Sequence, residues 1–227
     1  MFDLPLSTLF NKRIPKQKFY DNLNVTPELK RVFKDQISVI IWRNKLAEST
    51  LNIAKGEQVT ELQVFEIRLN QRSLDKRVLE LIDREIPYHI LFLLTCEELC
   101  QAWIGYKEPS LSKAGNFKVN SYYHTEWLQS EEFEVKLEGL DLDAVYENFI
   151  RQIAGEQLEE KVENAGLVLS LAESIERMKK KEQLERQILV AKKKVIAEKQ
   201  FNRQVILNTE LKNLQIELEG LDGQTES

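Results

Sequence analysis

No proline lies in the last 118 residues of this 227-residue chain, and no tyrosine or tryptophan follows Tyr146. The five prolines, three tryptophans and six tyrosines all precede Gly155. A stretch without proline keeps every backbone N–H available for a helical ladder. Eight glycines are few for a chain of this length, and none falls in G-x-x-x-x-G-K-[ST], G-x-G-x-x-G or a nucleophile elbow. The chain is therefore poor in phosphate-cradling loops and shows none of these catalytic signatures. Of the two cysteines, Cys96 and Cys100, neither has a further Cys or His nearby, and their spacing of four is not a zinc signature. Both sit in apolar sequence and read as buried free thiols. No apolar run approaches the roughly 18–20 residues of a membrane span. The start, MFDLPLSTLFNKR, lacks the cationic and apolar regions of a signal peptide, so a cytoplasmic, reduced, membrane-free protein is expected.

Charge is unevenly distributed along the chain. Residues 131–163 hold 11 acids against 3 bases, and residues 176–204 hold 10 bases against 4 acids. Such asymmetry points to separate surfaces with separate partners. The net charge of −5 gives no global argument for nucleic acid.

Two regimes meet near Gly155, giving an expected head of residues 1–155 and a tail of residues 156–227 whose last residues are disordered. In the head, residues 5–10 read as a short helix and NKRIPKQKFYDNL as a basic loop. Thr26 caps a helix with Pro27 at its first position, and Leu29, Val32, Phe33, Ile37, Ile40 and Ile41 keep helical spacing. VTELQVFEIRLN alternates as a strand, with a slip near Phe65-Glu66 that suggests a bulge. SLDKRVLELIDRE reads as a helix capped by Ser73. YHILFLLTC and CQAWIGYK form a hairpin of central strands. After the loop EPSLSKAGN, FKVNSYYHTEW and FEVKLEGL read as two more strands. LDLDAVYENFIRQIAG closes the head as a helix, with Asp141 or Asp143 at its start and Gly155 at its end. The expected fold is α+β, a mostly antiparallel sheet with flanking helices, followed by a long α-helical coiled-coil tail.

In the tail, Leu158, Val162, Ala165, Leu169 and Ala172 keep a heptad-like rhythm. So do Leu184, Ile188, Ala191 and Val195, and then Leu207, Leu211, Leu214, Leu218 and Leu221. The runs slip in phase near ERMKKKEQ and EKQFNR, which marks a change of winding, a bend or a turn. One unbroken helix would be roughly 95 Å long. Its apolar seam needs cover by a second copy, another protein, or the chain folding back on itself; the last lacks a Gly/Pro turn. Leu184, Ile188, Ala191, Val195, Leu211, Leu214 and Leu218 are the expected self-association residues.

Three stretches carry candidate chemistry. YYHTEWL sets His124 among Tyr122, Tyr123 and Glu126, a general base or ligand by residue type. It lacks the three or four ligands of a metal site, and aromatic packing with bonded polar tips explains the same letters. In FEVKLEGL, Glu134-x-Lys136 is the second half of a metal-dependent nuclease signature, but no compelling Asp precedes it. NKRIPKQKFY sets Lys12, Arg13, Lys16 and Lys18 beside Phe19 and Tyr20, a pattern that suits nucleic-acid backbone and stacked bases. A solvated loop with its aromatics tucked under the domain explains the same residues and is the favoured reading. No cofactor and no metal is expected.

FNKRIPKQKFY, WRNKLAESTLNIA, EIPYHILFLL, QAWIGYK, YYHTEWL and KLEGLDLDAVYENFIRQIAG together resemble the signature segments of a prokaryotic family, domain of unknown function 4391. The resemblance covers residues 1–155 well and the tail more loosely. It implies an accessory part of a DNA-defence system of restriction type, beside a helicase or a DNA methyltransferase, and it implies no catalytic residues. The expected function is a non-enzymatic scaffold subunit assembling through the tail. The alternatives are a metal-dependent nuclease using Glu134 and Lys136 with His124, or a nucleic-acid-binding module.

Overall fold

The structure is a computed structural model, which describes residues 4–21, 25–109, 117–158, 161–162 and 167–221. The chain divides into two compact units, Met1–Gly155 and Glu156–Ser227. The last residues, expected to be disordered, and most of the loop EPSLSKAGN lie outside the described residues.

The first unit begins differently from expectation. A single 3-10 turn, Leu6–Thr8, replaces the short helix, because the Pro5 carbonyl accepts from both the N–H (2.9 Å) and the hydroxyl (2.7 Å) of Thr8. The supposed basic loop then forms strand β1 (Leu9–Ile14) and helix α1 (Gln17–Asp21). Helix α2 (Pro27–Asp35) starts as read, with the Thr26 hydroxyl accepting from Leu29 N–H. It stops at Asp35, whereas the apolar spacing carried it to Ile41. Ile37, Val39, Ile40 and Ile41 are β-branched and favour extended backbone, and they enter strand β2 (Ile37–Ala47). Asn70 seals the junction, its N–H bonding the Gln36 carbonyl and its side chain the Asp35 carbonyl, both at 2.8 Å.

The remaining elements of this unit are the short α3 (Glu48–Leu51), β3 (Glu61–Leu69), α4 (Arg77–Glu85), β4 (His89–Cys96), β5 (Leu99–Pro109), β6 (Phe117–His124), β7 (Leu128–Gln129) and α5 (Leu142–Ala154). The sheet order is β1-β2-β3-β4-β5-β6, with β7 on β5. All pairs are antiparallel except β3–β4, which is parallel and has α4 as its crossover. The bulge foreseen in β3 sits on its neighbour: Trp42 faces Phe65 and Asn44 faces Val64, so Arg43 is the extra residue. β3 itself is buried on both faces and pairs β4 without a shift. Ser73 is not the cap of α4; the helix begins after Lys76, with Asp75 accepting from Arg77 N–H.

One sheet face, carrying Phe65, Ile67, Ile90 and Phe92, packs on Phe33 of α2 and on Val78 and Ile82 of α4. The opposite parity carries His89, whose ring meets Tyr146 of α5. FEVKLEGL is not a strand. Phe133 and Val135 are buried while Glu134 and Lys136 are exposed, but the Lys136 N–H and carbonyl are both taken by the Gln152 side chain. Asp141 caps α5 by accepting from Ala144 N–H. Asp143 instead reaches across to a distant loop. Its carboxylate accepts from the N–H groups of Glu57 (2.7 Å), Gln58 (3.2 Å) and Val59 (2.7 Å), stitching the β2–β3 connection to α5. A Cβ on Gly56 would lie 2.1 Å from that carboxylate, so the stitch requires glycine there.

In the second unit the helix expected from residue 156 does not form at once. The two-residue strands β8 (Lys161–Val162) and β9 (Leu167–Val168) pair first. Helix α6 (Leu171–Ala197) then starts at a capping box made by Ser170 and Glu173. It ends at Glu198, and α7 (Phe201–Leu221) follows. The break needs neither glycine nor proline, because the Glu198 carboxylate accepts from the N–H groups of both Lys199 and Gln200 at 2.9 Å. Gln204 donates to the Val195 carbonyl and Lys180 pairs with Glu217 at 3.0 Å, so α7 runs back along α6. This register sets Leu184 and Ile188, which are buried, against the side of α7 that carries Leu211, Leu214 and Leu218, which are half-buried. Ala191 and Val195 continue the same seam. The stripe assigned to contacts between chains is thus met within one chain, and a single long helix is ruled out by the turn.

Asp143→Ala removes three hydrogen bonds to one charged acceptor and should lower stability by about 1–3 kcal/mol. Urea midpoints measure this, and an unchanged midpoint would show that the stitch contributes nothing.

Candidate functional site

α4 and the end strand β6 form the walls of a groove of about 660 Å³. Lys76, Glu80 and Arg84 line it from the helix side, Lys118, Asn120, Tyr122 and His124 from the strand side, and Trp103 of β5 from below. Three cations and one anion line it, a net positive lining, with Lys76 3.4 Å from Glu80 and Arg84 3.0 Å from Glu85. The helix wall follows from sequence: Val78, Leu79 and Ile82 bury one face of α4, and residues at 76, 80 and 84 share another.

The stretch YYHTEWL supplies one end of this groove. The His124 ring stacks on Trp103 with centroids 4.3 Å apart and planes at 27°. Its Nδ1–H donates to the Thr125 carbonyl at 3.0 Å. Gln101 fixes both neighbours, accepting from Trp103 Nε1 (2.8 Å) and donating to the Thr125 carbonyl (2.7 Å). Tyr123, one residue away in parity, is buried.

Beneath the groove lies a buried ion pair. Lys107 Nζ is 2.9 Å from Asp83 Oδ1, with side-chain exposures of 1% and 0%. Tyr122 donates its hydroxyl to Asp83 Oδ2 at 2.6 Å, and Lys107 also donates to the Tyr88 carbonyl at 2.5 Å. Tyr146 of α5 accepts from Lys107 N–H at 2.9 Å and donates to the Gly105 carbonyl. A Cβ at Gly105 would press on Tyr122 and Asp83 at 3.1–3.2 Å, so glycine lets helix and sheet approach. Burial pushes the Asp83 carboxyl up and the Lys107 ammonium down, each opposed by attraction to the other. Burial together with the charge of Asp83 raises the Tyr122 phenol well above its ordinary value, keeping it a donor. His89 is depressed to about 3, first by burial and then by the charge of Lys107.

The other sequence candidates are scattered. Glu134 and Lys136 are exposed on the coil before α5, and His124 lies on β6. Among the described residues no three or more His, Cys, Asp or Glu gather where a metal ion could be held. Lys12 and Arg13 stand on the opposite sheet edge, β1, and Lys18 and Tyr20 on α1. Lys16 donates to the Ile37 carbonyl at 2.5 Å. Phe19 is buried, and Tyr20 packs edge-on to Phe33 under Lys30. The sequence reading missed Trp103, Asp83, Lys107 and the helix wall. A signal was present: Asp83 sits beside Ile82 and four residues after Leu79, on the apolar side of its helix.

The fold and groove together define a mixed α+β domain with one cationic, aromatic-floored edge, followed by a helical hairpin. The family model described as Domain of unknown function (DUF4391) matches residues 2–218, and the chain belongs to that family. No curated protein matches the chain, and no solved structure does.

Two outcomes follow for the buried groups. Lys107→Met strands an uncompensated carboxylate and should cost about 3–5 kcal/mol, most of it recovered in Lys107→Met/Asp83→Asn; urea denaturation of the single and double variants reads this coupling. His89 stays neutral when folded, so its contribution is fully present above pH ~6.5 and is lost as pH falls toward about 3. Over that window His89→Phe should flatten the stability profile by up to about 1.4 kcal/mol per pH unit. Parallel profiles for the variant and the parent chain would contradict the assignment.

Proposed function

We propose that this chain is a non-enzymatic accessory subunit of a prokaryotic DNA-defence complex, docking a helicase or DNA methyltransferase subunit. The observation that carries the reading is the groove between α4 and β6. It is an open, cation-rimmed recess with an aromatic floor, on an element held rigidly by the Asp83–Lys107 pair. Aromatic and arginine side chains in a recess are the common anchors of protein partners. The defence setting comes from the family resemblance. The scattering of Glu134, Lys136 and His124 favours docking over cleavage.

The tail completes the reading as an intramolecular coiled coil that also joins two copies. A recess of about 350 Å³ opens between α6 and α7 over Val190, Ala191, Leu207 and Leu214, flanked by Arg186, Lys194 and Glu210. Rim charges of both signs suit a second copy of the same hairpin. Leu189, Ile196, Phe201 and Ile206 are also exposed, and covering such surface is worth about 25 cal/mol per Å².

Tagged chain recovered from its native cells should carry a helicase or a methyltransferase, identified by mass spectrometry. Arg84→Glu/Lys118→Glu should lose it. Light scattering should give a dimer that Val190→Glu/Leu207→Glu reduces to a monomer. A monomeric parent chain would refute the assembly half. Recovery unaffected by the groove variant would refute the docking half. Cleavage of plasmid in Mg²⁺ or Mn²⁺ that disappears in Lys136→Ala would replace both with the nuclease reading.

A further inference from the structure

The groove has the shape of a slot beside an open sheet edge. β6 ends the strand order, and among the described residues only β5 pairs with it. The edge has two halves. Tyr106 faces Ser121 and Lys107 faces Val119, so Asn120 is a bulge residue that bends the first half away and turns its own side chain to the groove. The second half, Ser121–His124, is regular. Thr125 N–H donates to the Ala102 carbonyl at 3.1 Å. Two-residue alternation from that pair turns the backbone groups of Tyr122 and His124 away from β5, toward the open side. Unpaired backbone N–H and C=O groups on an edge are a template for another strand.

We infer that this edge is completed by an extended, acidic segment of the partner, which adds to Ser121–His124 as a strand and lies between β6 and α4. The inference rests on the docking role proposed above and specifies its occupant. Strand addition supplies affinity through main-chain hydrogen bonds, and specificity through alternate side chains. On this edge every second side chain of the added strand faces α4, where Lys76 and Arg84 stand, and Lys118 lines the groove beyond the bulge. Glu80 is the one acid of the lining. The complementary segment therefore carries Asp or Glu at every second position. The other edge, β1, is unsuited to the same segment, since exposed Leu9 and Phe10 and a bulge at Asn11 occupy it.

Selection of random dodecapeptides displayed on phage against the full chain tests this directly. Enriched sequences should alternate acids with other residues. A synthetic copy of the most enriched peptide should bind with Arg84→Glu and Lys118→Glu each weakening it about tenfold or more. Both side chains are exposed, so the variants should keep the parent's circular dichroism. Methylating alternate backbone nitrogens of that peptide should abolish binding, which a merely charged contact would survive. Enrichment without alternation, or indifference to N-methylation, overturns strand addition. So does displacement of the peptide by a dT12 oligonucleotide that binds the same residues more tightly, which would assign the groove to single-stranded nucleic acid. If native partner capture still depends on Arg84 and Lys118 while no alternating peptide is selected, the docking role stands and this inference falls. If neither responds, both fall.

Discussion

The head depends on one buried contact, Lys107 against Asp83. Desolvating two charges is expensive, and their attraction offsets it only when the remaining donors and acceptors are also met. Here most are supplied from several directions, while Asp83 Oδ1 has only the Lys107 ammonium beside it. Tyr122 bonds the carboxylate, the Tyr88 carbonyl takes the ammonium, and Tyr146 ties the Lys107 backbone to α5. The contact joins α4 to β5 and β6 from one side of the sheet and α5 from the other. Apolar packing alone would let a nine-residue helix slide or roll over a flat sheet face at modest cost. A charge pair with fixed geometry does not allow that, and Gly105 holds the layers close enough for it to form. The distance between α4 and β6 is therefore set by chemistry lying under the groove rather than by the groove lining itself.

The tail obeys the opposite logic. Its stability comes from a non-directional stripe that must leave water, and the nearest available surface is the rest of the same chain. A turn of three residues, Glu198 to Gln200, suffices because one carboxylate satisfies two consecutive N–H groups. Closing a short loop costs little entropy beside bringing two chains together. Intramolecular cover therefore wins for the main seam. What remains for other contacts is the second, narrower surface around Val190 and Leu207, which a single hairpin leaves wet.

The sequence was most legible where one residue type has one physical use. Thr26-Pro27 marked the start of α2, Gly155 the end of α5, and the change of regime near Gly155 the chemical contrast between the two parts. It was least legible where local and tertiary preferences point to different answers. Ile37, Ile40 and Ile41 fit a helical stripe by spacing, yet their branched side chains pack better on a pleated surface, and sheet pairing decided. FEVKLEGL alternates as a strand at its start, where Phe133 and Val135 are buried, but the backbone N–H and carbonyl of Lys136 are taken by the Gln152 side chain rather than by a neighbouring strand. The EKQ turn carries no breaker residue and shows itself only as a slip in heptad phase. The groove was half visible: YYHTEWL drew notice for its composition, while its opposite wall on α4 and the pair beneath it became adjacent only through the β3–α4–β4 crossover.

That crossover also explains why the groove lies at this end of the sheet. A parallel connection needs a helix lying across the strands, so α4 covers the face next to β4 and β5. β5 and β6 then extend the sheet by antiparallel pairing, and among the described residues no further helix lies between α4 and the last strand. The helix therefore overhangs an edge that no described strand pairs. Its cations are set along that overhang at 76 and 84, about two helical turns apart, which spans about four residues of extended chain. The regular part of the edge, Ser121–His124, has that length. A strand seated there would satisfy backbone groups that no described part of this chain is seen to reach, and its acids would add to the partners that Lys76 and Arg84 already have in Glu80 and Glu85.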